Sequence, residues 1–276
     1  MLVFLSARGC LRQGSAIPEA VYHAALALEL MHTASLVHDD VVDESNQRRG
    51  QKSINSLLSN QEAVLIGDFL LSRALHHVSL VGDLRMTDRI SILGQRLADG
   101  ELLQLANIDH VDFEESSYYE VIRKKTATLF ATCAEVGALF SSDDAGYAEI
   151  MKRFGMLTGI CFQLRDDILD YDMANDMGKP AGNDMQEGKL TLPVLFAARK
   201  NDEAARLASL VRKGRAEAED IQKLVQLAID LGGIIYAEKA MEDFSFMASG
   251  LLENLENKDI AKTLQLYLDF VAKRKI

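Results

Sequence analysis

Apolar side chains return every three or four positions along most of this chain, the period of an amphipathic helix, and the strict alternation of a half-buried strand is absent. A first long helix is expected to open at Pro18-Glu19, with proline in its first turn, where the missing N–H costs nothing. It runs through Ala24, Leu28, Met31, Ser35 and Val42 and stops near Glu44-Ser45-Asn46. A polar stretch from Asn46 to Asn60, carrying Gly50, interrupts the pattern. Helices are predicted again over about Gln61 to Leu80, Met86 to Asn107, Glu114 to Phe140 and Tyr147 to Tyr171. Met173 to Leu190 is glycine-rich and polar and reads as a functional loop, and amphipathic helices resume from Pro193 to Lys275. No low-complexity linker and no repeat of fixed period divides the chain, so a single all-α domain over residues 1–276 is expected.

Composition narrows the partners. With 48% hydrophobic residues the chain can bury a sizeable core. A net charge of -11 argues against non-specific nucleic-acid binding and against a polybasic membrane anchor, so an anionic substrate must be held by local cations and metal. Cys10, Cys133 and Cys161 are odd in number, without paired spacing, and read as buried small side chains in a reducing, cytoplasmic compartment. No apolar run reads as long enough for an integral membrane segment. The opening Met1-Leu2-Val3-Phe4-Leu5 is too short, and lacks the basic start, for a signal peptide.

Two acidic segments carry the chemistry. Asp39-Asp40-Val41-Val42-Asp43 and Asp166-Asp167-Ile168-Leu169-Asp170 are both D-D-x-x-D, and both fall in predicted helices. Residues four apart share a helix face, so Asp39 stacks on Asp43 and Asp166 on Asp170, an arrangement that repels itself unless positive charge joins it. Hard divalent cations, Mg²⁺ first, suit such oxygen clusters, and Mg²⁺ usually adds substrate phosphates to a few carboxylates, which points to a phosphorylated or diphosphorylated substrate. Two such clusters could face each other across a cavity. Matching cations and donors are at hand: Arg48-Arg49 after the first motif, Lys124-Lys125-Thr126 in a later helix, and Lys179 and Lys189 beside Gly178 and Gly188. Gln163 lies three residues before Asp166, and His32 two turns before Asp39 on its face.

These segments resemble trans-polyprenyl diphosphate synthases of the long-chain, octaprenyl type. Leu36-Val37-His38-Asp39-Asp40-Val41-Val42-Asp43-Glu44-Ser45 with Arg48-Arg49-Gly50 is similar to that family's first aspartate-rich motif, and Phe162 to Tyr171 to its second. Gly178-Lys179-Pro180, Asp184, Gly188-Lys189-Leu190-Thr191-Leu192-Pro193, Gly67-Asp68, Gly100-Glu101 with Gln104, and Lys125-Thr126-Ala127 continue the pattern over nearly the whole chain. The resemblance implies an isoprenoid-synthase helix bundle around a deep central cavity and a homodimer. It implies head-to-tail condensation of isopentenyl diphosphate with an allylic prenyl diphosphate. Asp39, Asp43, Asp166 and Asp170 would hold Mg²⁺, three ions with substrate bound, and Asp40 and Asp167 would complete or orient the cluster. Arg48, Lys125, Thr126, Gln163 and Lys179 match positions that hold the allylic diphosphate; His32 and Arg49 match those that hold isopentenyl diphosphate. Lys189 either binds a phosphate or orders its loop, and Gly100-Glu101 with Gln104 is read as structural. Met31, Ala34 and Ser35 would set the floor under the growing tail, where small Ser35 and Ala34 imply a long product.

One departure concerns the start. The family carries a Gly-Gly-Lys-Arg-x-Arg-Pro segment ahead of its first acidic helix. Met1-Leu2-Val3-Phe4-Leu5-Ser6-Ala7-Arg8 resembles the stretch just after that segment, so the domain reads as N-terminally shortened. A terpene cyclase is disfavoured by the second intact D-D-x-x-D. An HD-type phosphohydrolase leaves that motif and the arginine pair unexplained. A non-catalytic regulatory subunit would have little reason to keep the repulsion among the aspartates. His76-His77 read as packing or surface residues, and Lys273-Arg274-Lys275 as a solvated tail or one that folds over the site.

Overall fold

Helices make up nearly all the regular structure in the computed structural model, which describes residues 1–12, 14–48, 50–107, 113–142, 144–171, 182–253 and 255–274. In chain order they are α1 (Leu2–Cys10), α2 (Glu19–Val42), a small hairpin of β1 (Gln47–Arg48) and β2 (Gln51–Lys52), α3 (Ile54–Leu57), α4 (Asn60–Val81), α5 (Leu84–Asn107), α6 (Glu115–Ile122), a π-helical turn (Arg123–Ala127), α7 (Thr128–Leu139), α8 (Ala145–Leu169), α9 (Asn183–Gln186), α10 (Leu192–Ala198), α11 (Asp202–Arg212), α12 (Ala218–Asp230), α13 (Gly233–Leu252) and α14 (Lys258–Lys273). The all-α expectation holds. Helix ends follow local chemistry: Ser59 Oγ accepts from Glu62 N at 3.2 Å and donates to Glu62 Oε2 at 2.8 Å, an N-cap that starts α4, and Gly82, with φ 70°, stops it.

Contacts divide the chain into two compact units, Met1–Leu97 with Leu129–Gly155 and Leu255–Ala261, and Ala98–Thr128 with Met156–Asn254 and Lys262–Ile276. The core of the first gathers Val21, Ala24, Leu28 and Met31 of α2, Ala74 and Val78 of α4, Met86, Ile90 and Leu93 of α5, and Val3 and Ala7 of α1. Ala24 and Ala27 of α2 and Ala63 and Ala74 of α4 are wholly buried, small side chains that suit a close approach of the two packed helices. The core of the second gathers Tyr171, Met185, Val194, Leu207, Val211, Leu224 and Val225.

Three features differ from the sequence reading. The first residues form α1, which buries Val3 and Ala7; a Cβ at Gly137 would lie 2.2 Å from Val3 O, so glycine there lets α1 dock. Arg48 pairs with Gln51 and Gln47 with Lys52 in a hairpin too short to show any alternation. By length and apolar composition, α2 and α4 are each capable of crossing a membrane, contrary to the expectation that no run reaches that length. Core helices share those properties, and α2 turns its apolar stripe into the core of the first unit. On α4, Leu65, Phe69, Leu75 and Leu80 are exposed.

Candidate active site

The first acidic motif closes α2. Asp39 and Asp43 are one turn apart, and Asp43 N donates to Asp39 O at 2.8 Å. Asp40 stands about 100° round the helix and is only 4% exposed. Arg48, on β1, meets it with both arms of its fork: Nε donates to Asp40 Oδ1 at 2.9 Å and to Oδ2 at 3.1 Å, and Nη2 lies 2.8 Å from Oδ1. The chain is brought there by its exit from α2. Ser45 N donates to Asp40 O at 2.9 Å across Glu44, whose left-handed φ of 50° takes the place glycine usually fills in this helix-end turn. Asn55 Nδ2 donates to the same carbonyl at 3.2 Å, and Ser53 Oγ to Ser45 O at 2.7 Å. Arg48 and Asp40, given separate roles from the sequence, are thus brought together. Arg49 lies outside the described residues.

His38 locks this turn to α4. Its Nε2 is 3.2 Å from Val64 O, a contact that requires the Nε2–H tautomer, and 3.6 Å from Asp68 Oδ1. A Cβ on Gly67 would fall 2.1 Å from that nitrogen, so Gly67 makes room for the ring and Asp68 sets a carboxylate beside it. His32 is half-buried on the Asp39 face, and its carbonyl accepts from Ser35 Oγ at 2.9 Å. Met31 and Ala34 are buried on another stripe of α2, Met31 reaching to within 3.0 Å of where a Gly94 Cβ would sit.

The second motif closes α8 on the same plan with a different partner. Asp166 and Asp170 share one face, and Asp167, 3% exposed, points inward. Tyr118 Oη of α6 donates to Asp167 Oδ2 at 2.5 Å, and Gln163 Nε2 donates to Oδ1 at 2.8 Å. Thr126 Oγ1 in turn donates to Gln163 Oε1 at 2.7 Å, so two residues expected to hold diphosphate are linked in one network. Burial pushes the Asp167 carboxyl up to about 7 against the pull of these donors, and the charges of Asp166 and Asp170 add to the rise. The Asp170 carboxylate accepts from Asn183 N at 3.1 Å and Asp184 N at 3.2 Å. Burial, then Asp167 and Asp170, raise the Asp184 carboxyl well above its usual range.

Lys125 sits in the π-helical turn, a distortion frequent at functional sites. A Cβ at Gly100 would be 2.8 Å from Lys125 N, so glycine lets α5 touch that turn. Glu101 Oε2 then lies 2.5 Å from Lys125 Nζ, a contact of opposite charges, and Gln104 Oε1 accepts from the same nitrogen at 3.4 Å. Gly100, Glu101 and Gln104, read as structural from the sequence, are therefore the residues that aim Lys125; the family pattern had flagged them, and only the contact gives them a role. Lys124 faces Glu120 at 3.0 Å and Asp99 at 3.8 Å, both exposed side chains. Lys189 Nζ is 2.6 Å from Glu187 Oε2. Lys179, with Gly178 and Pro180, lies outside the described residues.

Among the described residues no three His, Cys, Asp or Glu side chains stand close enough to hold a metal by themselves. The donors are carboxylate oxygens in pairs one turn apart. That set fits Mg²⁺, which keeps waters and takes substrate phosphate oxygens instead of filling an all-protein cage.

A predominantly helical fold with two aspartate-rich helix ends defines the class, and comparison places it. The chain belongs to the polyprenyl synthetase family, whose profile matches residues 1–228. It is 38% identical over 200 residues to the octaprenyl diphosphate synthase of Escherichia coli strain K12, covering 71% of this chain and 60% of that enzyme. Among solved structures it resembles geranylgeranyl pyrophosphate synthase from Bacteroides thetaiotaomicron, with a TM-score of 0.88 and 42% identity over 99% of this chain and 86% of that one. It also resembles a polyprenyl synthase from Caulobacter crescentus CB15 complexed with calcium and isoprenyl diphosphate, with a TM-score of 0.90 and 31% identity, covering 100% and 84%. The chain spans 60% of the length of the first curated relatives it matches.

Proposed function

We propose that this protein is a trans-prenyltransferase that condenses isopentenyl diphosphate head-to-tail with an allylic prenyl diphosphate, giving a long-chain trans-polyprenyl diphosphate. The observation that carries this reading is the repeated construction of the two motifs: in each, the second aspartate is buried and pinned, and the outer pair is left on one helix face. Family membership and the octaprenyl and Caulobacter relatives support it. Asp39, Asp43, Asp166 and Asp170 are the carboxylates we assign to Mg²⁺, with three ions when substrate is bound. The metal, when present, supplies positive charge to the departing diphosphate. Arg48 and the Tyr118–Gln163 pair hold Asp40 and Asp167 so that each helix end keeps its shape. Lys125, Thr126 and Gln163, with Lys179, bind the allylic diphosphate; His32 and Arg49 bind isopentenyl diphosphate; Lys189 orders its loop through Glu187 or joins them. As the allylic C1–O bond breaks, diphosphate leaves and C1 bonds to the isopentenyl double bond. The proton lost from the adduct passes to the released diphosphate, so no side-chain base is required.

Ser35, on the Asp39 face, is the best placed of the three floor residues, and its small size favours a long product. The exposed Leu65, Phe69, Leu75 and Leu80 of α4 support pairing with a second copy as a homodimer. Free Cys10, Cys133 and Cys161 fit a cytoplasmic setting. The test is to incubate the chain, and a version extended at its N-terminus, with Mg²⁺, labelled isopentenyl diphosphate and farnesyl diphosphate, and to size the products. Polyprenyl products that vanish in Asp39→Ala and in Asp166→Ala, with both variants still folded, are expected. No product from either version, or normal turnover in either variant, would overturn the assignment.

A further inference from the structure

Arg274 does not behave as a solvated tail residue. It comes directly after α14, yet its side chain is only 13% exposed. Its guanidinium lies 3.7 Å from the centroid of the Phe162 ring, and its Nη2 donates to Phe162 O at 3.1 Å and to Asp166 Oδ1. Its own carbonyl accepts from Arg165 Nε at 2.7 Å. Phe162, Arg165 and Asp166 are spaced three and four apart, so the end of α14 is fastened to little more than one turn of α8, the turn that opens the second acidic motif. The fit is incomplete: Arg274 Nε is buried and meets no acceptor among the described residues. A buried donor left unmade costs free energy, so packing alone is a poor reason for the guanidinium to be there, and the charge of Asp166 is the better one. Asp166 itself is 45% exposed.

We propose that Arg274 is the positioning residue of Asp166, a resident countercharge that holds the carboxylate while no divalent cation is bound and gives it up when one arrives. This rests on the assignment of Asp166 to the cation made above. Arg274 keeps the face it shares with Asp170 from repelling itself open, and it sets a threshold that a cation must exceed. A +1 charge about 6 Å from a +2 ion disfavours its binding by roughly tenfold even at the dielectric of water.

The test uses the full chain and four variants: Arg274→Ala, Arg274→Lys, Asp166→Asn, and Arg274→Ala with Asp166→Asn. Melting temperature is measured in EDTA and in saturating Mg²⁺, and Mn²⁺ binding is followed by electron paramagnetic resonance. Arg274→Ala is expected to melt lower than the parent in EDTA, to come back towards it in Mg²⁺, and to bind Mn²⁺ roughly tenfold more tightly. Arg274→Lys is expected to restore part of the parent behaviour, and Arg274→Ala to be nearly silent on the Asp166→Asn background. Equal melting losses with and without Mg²⁺, unchanged in Asp166→Asn, would make Arg274 a packing residue and overturn the proposal. If Asp166→Asn binds Mn²⁺ as the parent does, the cation assignment of Asp166 fails and the exchange fails with it. The coupling of Arg274 to Asp166 in EDTA is read independently, which separates the two failures.

Discussion

Replacing Tyr118 by Phe removes one oxygen atom and tests the support of the second motif. Tyr118 Oη donates to Asp167 Oδ2 at 2.5 Å, between side chains that are 8% and 3% exposed, so no solvent stands ready to replace the bond. A hydrogen bond to an ionised group contributes about 1.5–3 kcal/mol, and a neutral one about 1 kcal/mol. Which figure applies depends on pH. The folded Asp167 carboxyl is raised from 3.8 to about 7, so it binds its proton more tightly in the folded chain than in the unfolded one. Its burial therefore costs nothing below pH about 4, costs progressively more as pH rises towards 7, and costs most above that. Loss of the Tyr118 donor raises the folded value further, so the extra penalty falls above pH 7. In EDTA, Tyr118→Phe should cost about 2–3 kcal/mol at pH 8 and about 1 kcal/mol at pH 5.5. At about 2–4 °C per kcal/mol, that is a drop of roughly 4–12 °C at pH 8 and a few degrees at pH 5.5. Thermal unfolding followed by circular dichroism at both pH values reads the difference. A loss below about 0.5 kcal/mol at pH 8, or the same loss at both, would refute the argument that Asp167 is an ionised carboxylate supported by Tyr118.

Gly67→Ala should displace the His38 ring, because its Cβ would fall 2.1 Å from Nε2; overpacking of this kind costs about 1–3 kcal/mol, and His38→Ala on the same background should relieve it in a double-mutant cycle of melting temperatures. Ser35→Phe is expected to shorten the product, read by chromatography of the hydrolysed prenyl alcohols; an unchanged product would remove Ser35 from the floor. Glu101→Ala leaves Lys125 without the carboxylate at 2.5 Å and should raise KM for the allylic diphosphate more than it lowers kcat, whereas Glu101→Gln, which keeps the shape, should lie between the parent and Glu101→Ala.

The helices that carry the motifs were legible because the 3.6-residue period is written directly in the apolar positions, and α2, α4, α5 and α8 run close to the predicted spans. The outer aspartate pairs were legible for the same reason. The partners of the middle aspartates were not. Arg48 reaches Asp40 through a left-handed Glu44 and a hairpin of two-residue strands, local conformations that leave no periodic trace. Tyr118 and Asp167 are 49 positions apart, and nothing in either segment announces the other. Glycine was the least readable signal. Gly67 and Gly100 look like poor helix formers in a helical pattern, yet each is the gap into which His38 or the Lys125 turn fits. Helix α1 leaves little trace in the sequence because it buries Ser6 and Gly9 beside its apolar residues, a face with little contrast against its surroundings.

The two motifs face one electrostatic problem and resolve it by different means. In both, the second aspartate turns inward because it stands about 100° from the first, and in both it is almost wholly buried. Asp40 is given a full positive charge, the planar fork of Arg48, so its pair is nearly neutral and can be pulled under the helix end. Asp167 is given neutral donors, Tyr118 and Gln163, and its charge is left to be met by a shift in proton affinity. The consequence is an asymmetry in how the two helix ends respond to their surroundings. The Asp40–Arg48 pair joins opposite charges directly. The Asp167 network should tighten or loosen with pH, and it shares a helix turn with Asp166 and Asp170, the pair assigned to the cation. A divalent ion on that pair would draw the Asp167 proton off by field alone, so the stability that metal adds at the end of α8 should grow as pH rises towards 7 and hold steady above it.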